Sequence, residues 1–146
     1  DIRVEDQTVF IDVDLPTSDD IPTQTATLSA NEQGLLIKDK SDRQIRQEYA
    51  HHVHGVILRL VGVVFAVLPA INKVQASGYT QVVDSATGHQ TDQYLISVEI
   101  EKSQFAKLNF SSVELINPIE ALELFELRRD MTKTGIFRPI TPMEPA

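Results

Sequence analysis

The 146-residue chain contains no cysteine. Disulfide bonds, cysteine-ligated zinc, iron–sulfur clusters and a thiol nucleophile are therefore excluded. The absence of cysteine also fits a protein of a reducing compartment. No basic segment leads into an apolar run near Asp1, so the sequence predicts no signal peptide.

Basic residues are also scarce, because 13 Lys and Arg face 21 Asp and Glu and give a net charge of −8. Such a surface repels phosphate backbones, which argues against direct binding of nucleic acid. The sequence has no P-loop, no Gly-x-Gly-x-x-Gly motif and no Ser/His/Asp arrangement. We therefore predict no cofactor and no metal site.

The length predicts a single domain over residues 1–146, in which 141–146 form a tail or linker. Both ends have the composition of linkers, so we expect a piece of a longer chain. One long helix is the strongest pattern, running from about Asp42 to Leu68 with Ser41 or Asp42 as its N-cap. Its second half is apolar all round and nearly long enough to cross a bilayer. Because a charge at Arg59 would be costly in lipid, we predict a buried central helix and no membrane partner.

Alternating apolar and polar residues predict the strands. They cover 9–15, a hairpin over 23–29 and 34–38, the pair 73–83 and 94–101, and an edge strand near 136–140. A second, shorter helix is predicted over 118–127, because Asn117 is a good cap and Pro118 suits the first helical position. We therefore predict an α+β fold, in which a mainly antiparallel sheet of about five strands packs on the central helix.

The basic residues of the C-terminal region are one candidate site. Arg128, Arg129, Lys133 and Arg138 are close in sequence and have the charge to hold an anionic ligand or an acidic partner. The alternative is structural. Arginines at the end of a helix complement its dipole, and the acidic N-terminal third offers pairing partners.

Three histidines near the start of the long helix are a weaker candidate. His51 and His54 share a helix face, as metal-binding pairs do, and His52 lies on another face. No third ligand is evident. Polar residues at the exposed start of a helix are the alternative interpretation.

Three carboxylates suggest a metal-dependent nuclease or phosphodiesterase. Asp84 follows one strand, and Glu99 and Glu101 share a face of the next, so these residues supply the carboxylates that such an enzyme uses to hold a divalent metal. Lys102 lies on the opposite face, where it cannot assist the attack on a phosphate. A solvated acidic face is the alternative. A small-ligand pocket beneath Tyr79 and Tyr94 is a further hypothesis.

Several segments resemble a known family. They are Tyr79–Asp84, the turn Ala86-Thr87-Gly88, Tyr94–Val98, Phe105-x-x-Leu108 and the run Asp130–Ile140. Together they resemble an uncharacterised bacterial module that precedes the catalytic domain in some Mrr-like restriction-endonuclease proteins. The resemblance extends from about Val9 to Pro139. The chain lacks the Gly-Gly-x-Asp and Gln-x-Lys motifs of that catalytic domain.

The resemblance implies a non-catalytic companion domain of a cytoplasmic bacterial protein linked to genome defence. The apolar helix and the β-branched edge strands favour a surface that binds a protein partner or a second copy. We therefore predict a non-enzymatic interaction or assembly module. The alternative is the metal-dependent nuclease or phosphodiesterase with Asp84, Glu99 and Glu101.

Overall fold

The computed structural model describes residues 1–31 and 33–144 and has the predicted α+β architecture. The strands are β1 (Ile2–Glu5), β2 (Thr8–Asp14), β3 (Gln24–Leu28), β4 (Leu35–Asp39), β5 (Lys73–Val83), β6 (Gln90–Glu101), β7 (Glu126–Met131) and β8 (Phe137–Arg138). The helices are α1 (Asp42–Val67), α2 (Lys102–Phe105) and α3 (Pro118–Leu122), with short 3-10 segments at Ser18–Asp20 and Phe110–Leu115.

The main sheet has six strands in the order β1-β2-β5-β6-β7-β8, and β3 and β4 form a separate two-stranded sheet. The predicted sheet of about five mainly antiparallel strands is therefore corrected in two respects. A sixth strand is present, and β2 pairs with β5 in parallel. Parallel neighbours need a long crossover, and here α1 lies within it. The alternation within a strand reports which face is buried but does not identify the neighbouring strand.

Helix α1 packs along one face of the main sheet. It begins where expected, because the side chain of Ser41 accepts a hydrogen bond from the backbone N–H of Gln44 at 3.1 Å. Val53, Ile57 and Val61 are fully buried at helical spacing. They meet the apolar face of the central strands, whose core residues include Val9, Val74, Ile96, Val98 and Ile100. The predicted central helix is thus present.

The predicted helix over 118–127 is only half as long. Asn117 caps α3 as expected, by accepting from the backbone N–H of Ile119, but the helix ends at Leu122. Residues 126–131 instead form β7, which pairs with β6 and alternates between exposed and half-buried side chains. Pairing with an open strand edge outweighs the high helix propensity of Glu126, Leu127 and the two arginines. Arg128 and Arg129 are consequently strand residues and do not cap a helix.

A β-bulge interrupts the β5–β6 pairing between Gly78 and Tyr79. A Cβ atom at Gly78 would lie 2.5 Å from Leu15 Cδ1 and 3.0 Å from Ile96 Cγ2. Only glycine leaves room for Leu15 to pack onto the strand at this point. The glycine therefore allows the chain leaving β2 to cover the bulge.

In the described part of the chain, α1 alone is long and apolar enough to cross a membrane by length and composition. Its most apolar window has a mean hydropathy of 1.6, and one third of that window is buried within the fold. The sheet covers the face that carries Val53 and Ile57. Pro118 of α3 and Phe105 lie against a second side of the helix, at Gly55 and Gly62. Val63 and Val67 are left exposed.

Candidate interaction surfaces

The four predicted basic residues do not form one patch. Arg128 and Arg129 are neighbours in β7, so their side chains project to opposite faces of the sheet. Arg138 in β8 pairs with Asp130 at 3.0 Å. Lys133 lies exposed in the turn between these two strands. Binding of an anionic ligand by this set stays a prediction, and three of its members already have partners within the fold.

Arg129 lies on the helix side and contacts the buried His54. Its Nη1 atom donates to Nε2 of His54 at 2.8 Å, and its Nη2 atom donates to Glu123 Oε1 at 2.8 Å. Nε2 must therefore be the unprotonated nitrogen, and Nδ1 donates to the backbone oxygen of Ala50 at 2.6 Å. Burial, opposed by the bond to Ala50 and assisted by the charge of Arg129, lowers the pKa of His54 to about 4. This histidine is a neutral structural group.

The histidine cluster is also split. His54 is fully buried, whereas His51 and His52 are exposed. Within residues 1–31 and 33–144, no three His, Asp or Glu side chains are placed to hold a metal ion. The exposed pair lies on the uncovered side of α1, beside Val56 and Arg59.

The three carboxylates of the nuclease hypothesis do not meet. Glu99 lies opposite Gln75 in the β5–β6 ladder, and Asp84 follows the far end of β5. Gln75 and Asp84 are nine positions apart along the chain. At about 3.3 Å per strand residue, Glu99 and Asp84 therefore lie roughly 30 Å from each other. Glu99 pairs with Lys73 at 2.9 Å, and Asp84 accepts from the backbone N–H of Ala86 in a turn. No common metal site for Asp84, Glu99 and Glu101 is formed.

Tyr79 and Tyr94 lie side by side on the sheet face opposite α1, which we call the outer face. Their ring centroids are 5.6 Å apart, and the Tyr94 hydroxyl donates to Asp12 Oδ2 at 2.8 Å. Burial and this hydrogen bond raise the pKa of Tyr94 to about 12. The pair packs together, and a ligand pocket beneath the two rings stays a prediction.

The hairpin formed by β3 and β4, residues 24–39, carries an uncovered apolar face; we call it the hairpin arm. Register places Leu28 opposite Leu35 and Ala26 opposite Ile37, so these four side chains share one face. Leu28, Leu35 and Ile37 are 66%, 68% and 61% exposed. The opposite face carries Thr25, Thr27, Leu36 and Lys38. This alternation is typical of a strand pair that packs on a core, yet no core lies against it in the described chain.

A second uncovered apolar surface lies on the helix side of the main sheet. Val56, Leu60, Val63 and Val67 form a stripe along α1, and Val63 and Val67 are exposed. In edge strand β1, Ile2 pairs with Ile11 and Val4 with Val9, so both side chains point to the side that α1 covers. They are nevertheless exposed. We call these six residues the helix-side strip.

The outer face is covered by the end of the chain. Residues 139–144, the C-terminal segment, cross β7, β6 and β5 without forming a helix or strand. The backbone N–H of Ile140 donates to the Tyr94 carbonyl at 2.9 Å, and that of Met143 donates to Ser97 Oγ at 3.0 Å. Gln75 Nε2 donates to the Met143 carbonyl at 2.9 Å. Residues 141–144 of the predicted tail or linker thus lie against the sheet, and residues 145–146 of that prediction lie outside the described residues.

Comparison of the chain with protein-family models, curated proteins and solved structures found no match in any of the three. The candidate surfaces therefore rest on their own geometry. Sequence reasoning missed the role of the C-terminal segment, although Pro139, Pro142 and Pro145 recur every third residue. That spacing matches the three residues per turn of a polyproline II helix and is the signal that could have identified it.

Proposed function

We propose that this chain is a non-catalytic assembly module that self-associates through the hairpin arm. The observation that carries the proposal is the apolar face of Leu28, Leu35 and Ile37, which is exposed although its alternation is that of a packed strand pair. A two-stranded hairpin alone is marginally stable in water. Packing against a second copy would supply the covering surface that the arm lacks.

Burial of the three exposed side chains of the arm favours association. Full burial of a Leu or Ile side chain contributes about 1.5–3 kcal/mol, and each of these three is about two-thirds exposed. Their burial would therefore contribute several kcal/mol. The net charge of −8 opposes association, because two copies repel each other. The arm contributes little to that repulsion, since Glu32, Lys38 and Asp39 give residues 24–39 a net charge of only −1.

The helix-side strip is the receiving surface that we propose on the second copy. This strip is apolar and lies on the opposite side of the sheet from the outer face. It is exposed because α1 covers the central strands of the sheet and does not cover β1. An arm that docks on a different surface of its neighbour makes a heterologous contact. Such contacts generate rings or filaments according to the rotation between copies.

The setting of the module follows from the resemblance. As part of the same proposal, the chain is a companion domain in a cytoplasmic bacterial protein associated with genome defence, and it has no catalytic centre of its own. The wide separation of Asp84 from Glu99 supports the non-enzymatic choice over the nuclease alternative.

The test is a pair of matched substitutions in the arm. Ile37→Asp places a charge on the apolar face, and Leu36→Asp places the same charge one residue away on the opposite face. We expect Ile37→Asp to dissociate the assembly and Leu36→Asp to leave it nearly intact, as measured by sedimentation velocity at matched concentrations. If both variants self-associate as strongly as the unmodified chain does, the arm is ruled out as the contact.

A further inference from the structure

We infer that the outer face is a receptor groove for an extended, proline-containing segment, and that its intermolecular occupant is the C-terminal segment of a second copy. In this structure the groove is filled by the same chain's own residues 139–144. This inference concerns the face opposite the helix-side strip and does not depend on the hairpin arm.

The groove binds the backbone of its occupant. Ser97 Oγ accepts from the Met143 N–H, and Gln75 Nε2 donates to the Met143 carbonyl. Arg128 Nη1 lies 3.3 Å from the Thr141 carbonyl and 3.4 Å from the Pro142 carbonyl. These interactions need only an extended backbone in place, and they do not require that the backbone belong to the same chain.

The groove residues are buried polar groups that need such an occupant. Gln75, Ser77 and Ser97 are all buried in the centre of a sheet whose other face is the apolar core. Ser77 and Ser97 hydroxyls bond to each other at 2.8 Å, and the occupant supplies the remaining partners of Ser97 and Gln75. Apolar residues at these positions would be the ordinary choice for a permanently closed layer. Polar ones suit a surface that an exchangeable segment covers.

The occupant is suited to bind in an extended form. Proline fixes φ near −65°, so Pro139 and Pro142 reduce the freedom that the segment loses on docking. Beyond Met143, Glu144 lies at a depression of about 220 Å³ that is also lined by Lys73 and Phe10. The segment thus reaches from β7 across to the β2 side of the outer face.

A second copy carries both the groove and the segment. Two copies that exchange segments would re-form the groove contacts of residues 141–143, and such exchange of an identical element is a low-cost route to a dimer. The exchanged pair is closed and two-fold symmetric. A segment held in the same chain has an effective concentration in the millimolar range, so exchange is favoured at high protein concentration or during joint refolding.

Because the chain has no cysteine, the exchange can be tested by disulfide trapping. One variant of the 146-residue chain carries Ser97→Cys and another carries Met143→Cys, and the two are refolded together and oxidised. A collision control mixes Met143→Cys with Lys107→Cys, whose cysteine lies at an exposed position away from the groove. A double variant with both groove cysteines reports closure within one chain. If Ser97→Cys fails to fold, Gln75→Cys replaces it.

We expect the Ser97→Cys and Met143→Cys mixture to form a linked dimer about tenfold or more above the collision control, because a bound segment experiences a high local concentration. If the double variant forms its internal disulfide and the mixture yields no more linked dimer than the collision control, the second copy is ruled out as the occupant. Folded variants that close neither within nor between chains would overturn the groove itself.

Discussion

His54 Nε2 accepts a hydrogen bond from Arg129 Nη1 at 2.8 Å, across 75 positions of sequence. The contact joins α1 to β7 and leaves the buried histidine neutral. Glu123 on the far side of Arg129 balances the charge of the guanidinium. The sequence predicted that Arg129 binds an anionic ligand. In the structure, Arg129 connects β7 to α1.

This contact makes the stability of the fold depend on pH. Burial lowers the pKa of His54 from 6.5 to about 4, so the unfolded chain takes up this proton at a higher pH than the folded chain. The contribution of His54 is present above about pH 6.5 and is lost as the pH falls towards 4. The slope is at most about 1.4 kcal/mol per pH unit.

The measurement is urea unfolding between pH 7 and pH 4 for the unmodified chain and for His54→Gln. Carboxylates titrate in both proteins, so the difference between them isolates the histidine. We expect the difference in free energy of unfolding to shrink as the pH falls. A difference that stays constant over this range would show that His54 binds its proton equally in both states.

The tyrosines give a second pH prediction, on the alkaline side. Burial raises the pKa of Tyr49 to about 12, with a smaller contribution from Asp20, and burial with the bond to Asp12 raises that of Tyr94 to about 12. Because the folded chain holds these protons more tightly, their contribution to stability is present below pH 10 and is lost as the pH rises towards 12.

The chain has three tyrosines and no tryptophan, so its near-ultraviolet absorbance reports tyrosine ionisation alone. We expect the folded chain to titrate at higher pH than the chain in urea. Tyr49→Phe should remove one late-titrating group and leave the others. Titration curves that coincide in the folded and unfolded chains would contradict the burial of these hydroxyls.

Substitution of two glycines by alanine should change the free energy of unfolding in opposite directions. Gly78→Ala places a methyl group 2.5 Å from Leu15 Cδ1, and such overpacking costs about 1–3 kcal/mol. At Gly55 in α1 the nearest atom to a new Cβ is Pro118 Cγ at 3.9 Å, an ordinary contact. Gly55→Ala should therefore gain up to about 1 kcal/mol from helix propensity. A urea midpoint that does not fall for Gly78→Ala would contradict the bulge geometry, and one that falls for Gly55→Ala would contradict the open space at that position.

Local patterns predicted local structure well. The end of α1 lies one residue from its predicted position, and Ser41 caps it as expected. The hairpin 24–39 also lies within one residue of its predicted strands. Capping, periodicity and turn residues act within a few positions, so they can be recognised from the sequence without knowledge of the rest of the fold.

Contacts between distant segments could not be predicted in the same way. The parallel pairing of β2 with β5 depends on where α1 returns the chain, and neither strand's residues encode it. Arg128 and Arg129 look like one charge cluster in sequence, but a strand sends them to opposite faces. The C-terminal segment is bound through its backbone, and the three-residue spacing of its prolines is the one sequence signal that indicates an extended form.

The solution mass of the unmodified chain, measured by light scattering at low and at high salt, tests self-association most directly. We expect a dimer or larger species, with more association at high salt, because salt screens the repulsion between copies that each carry a charge of −8. A strict monomer at both salt concentrations would contradict self-association and leave the hairpin arm to another kind of partner.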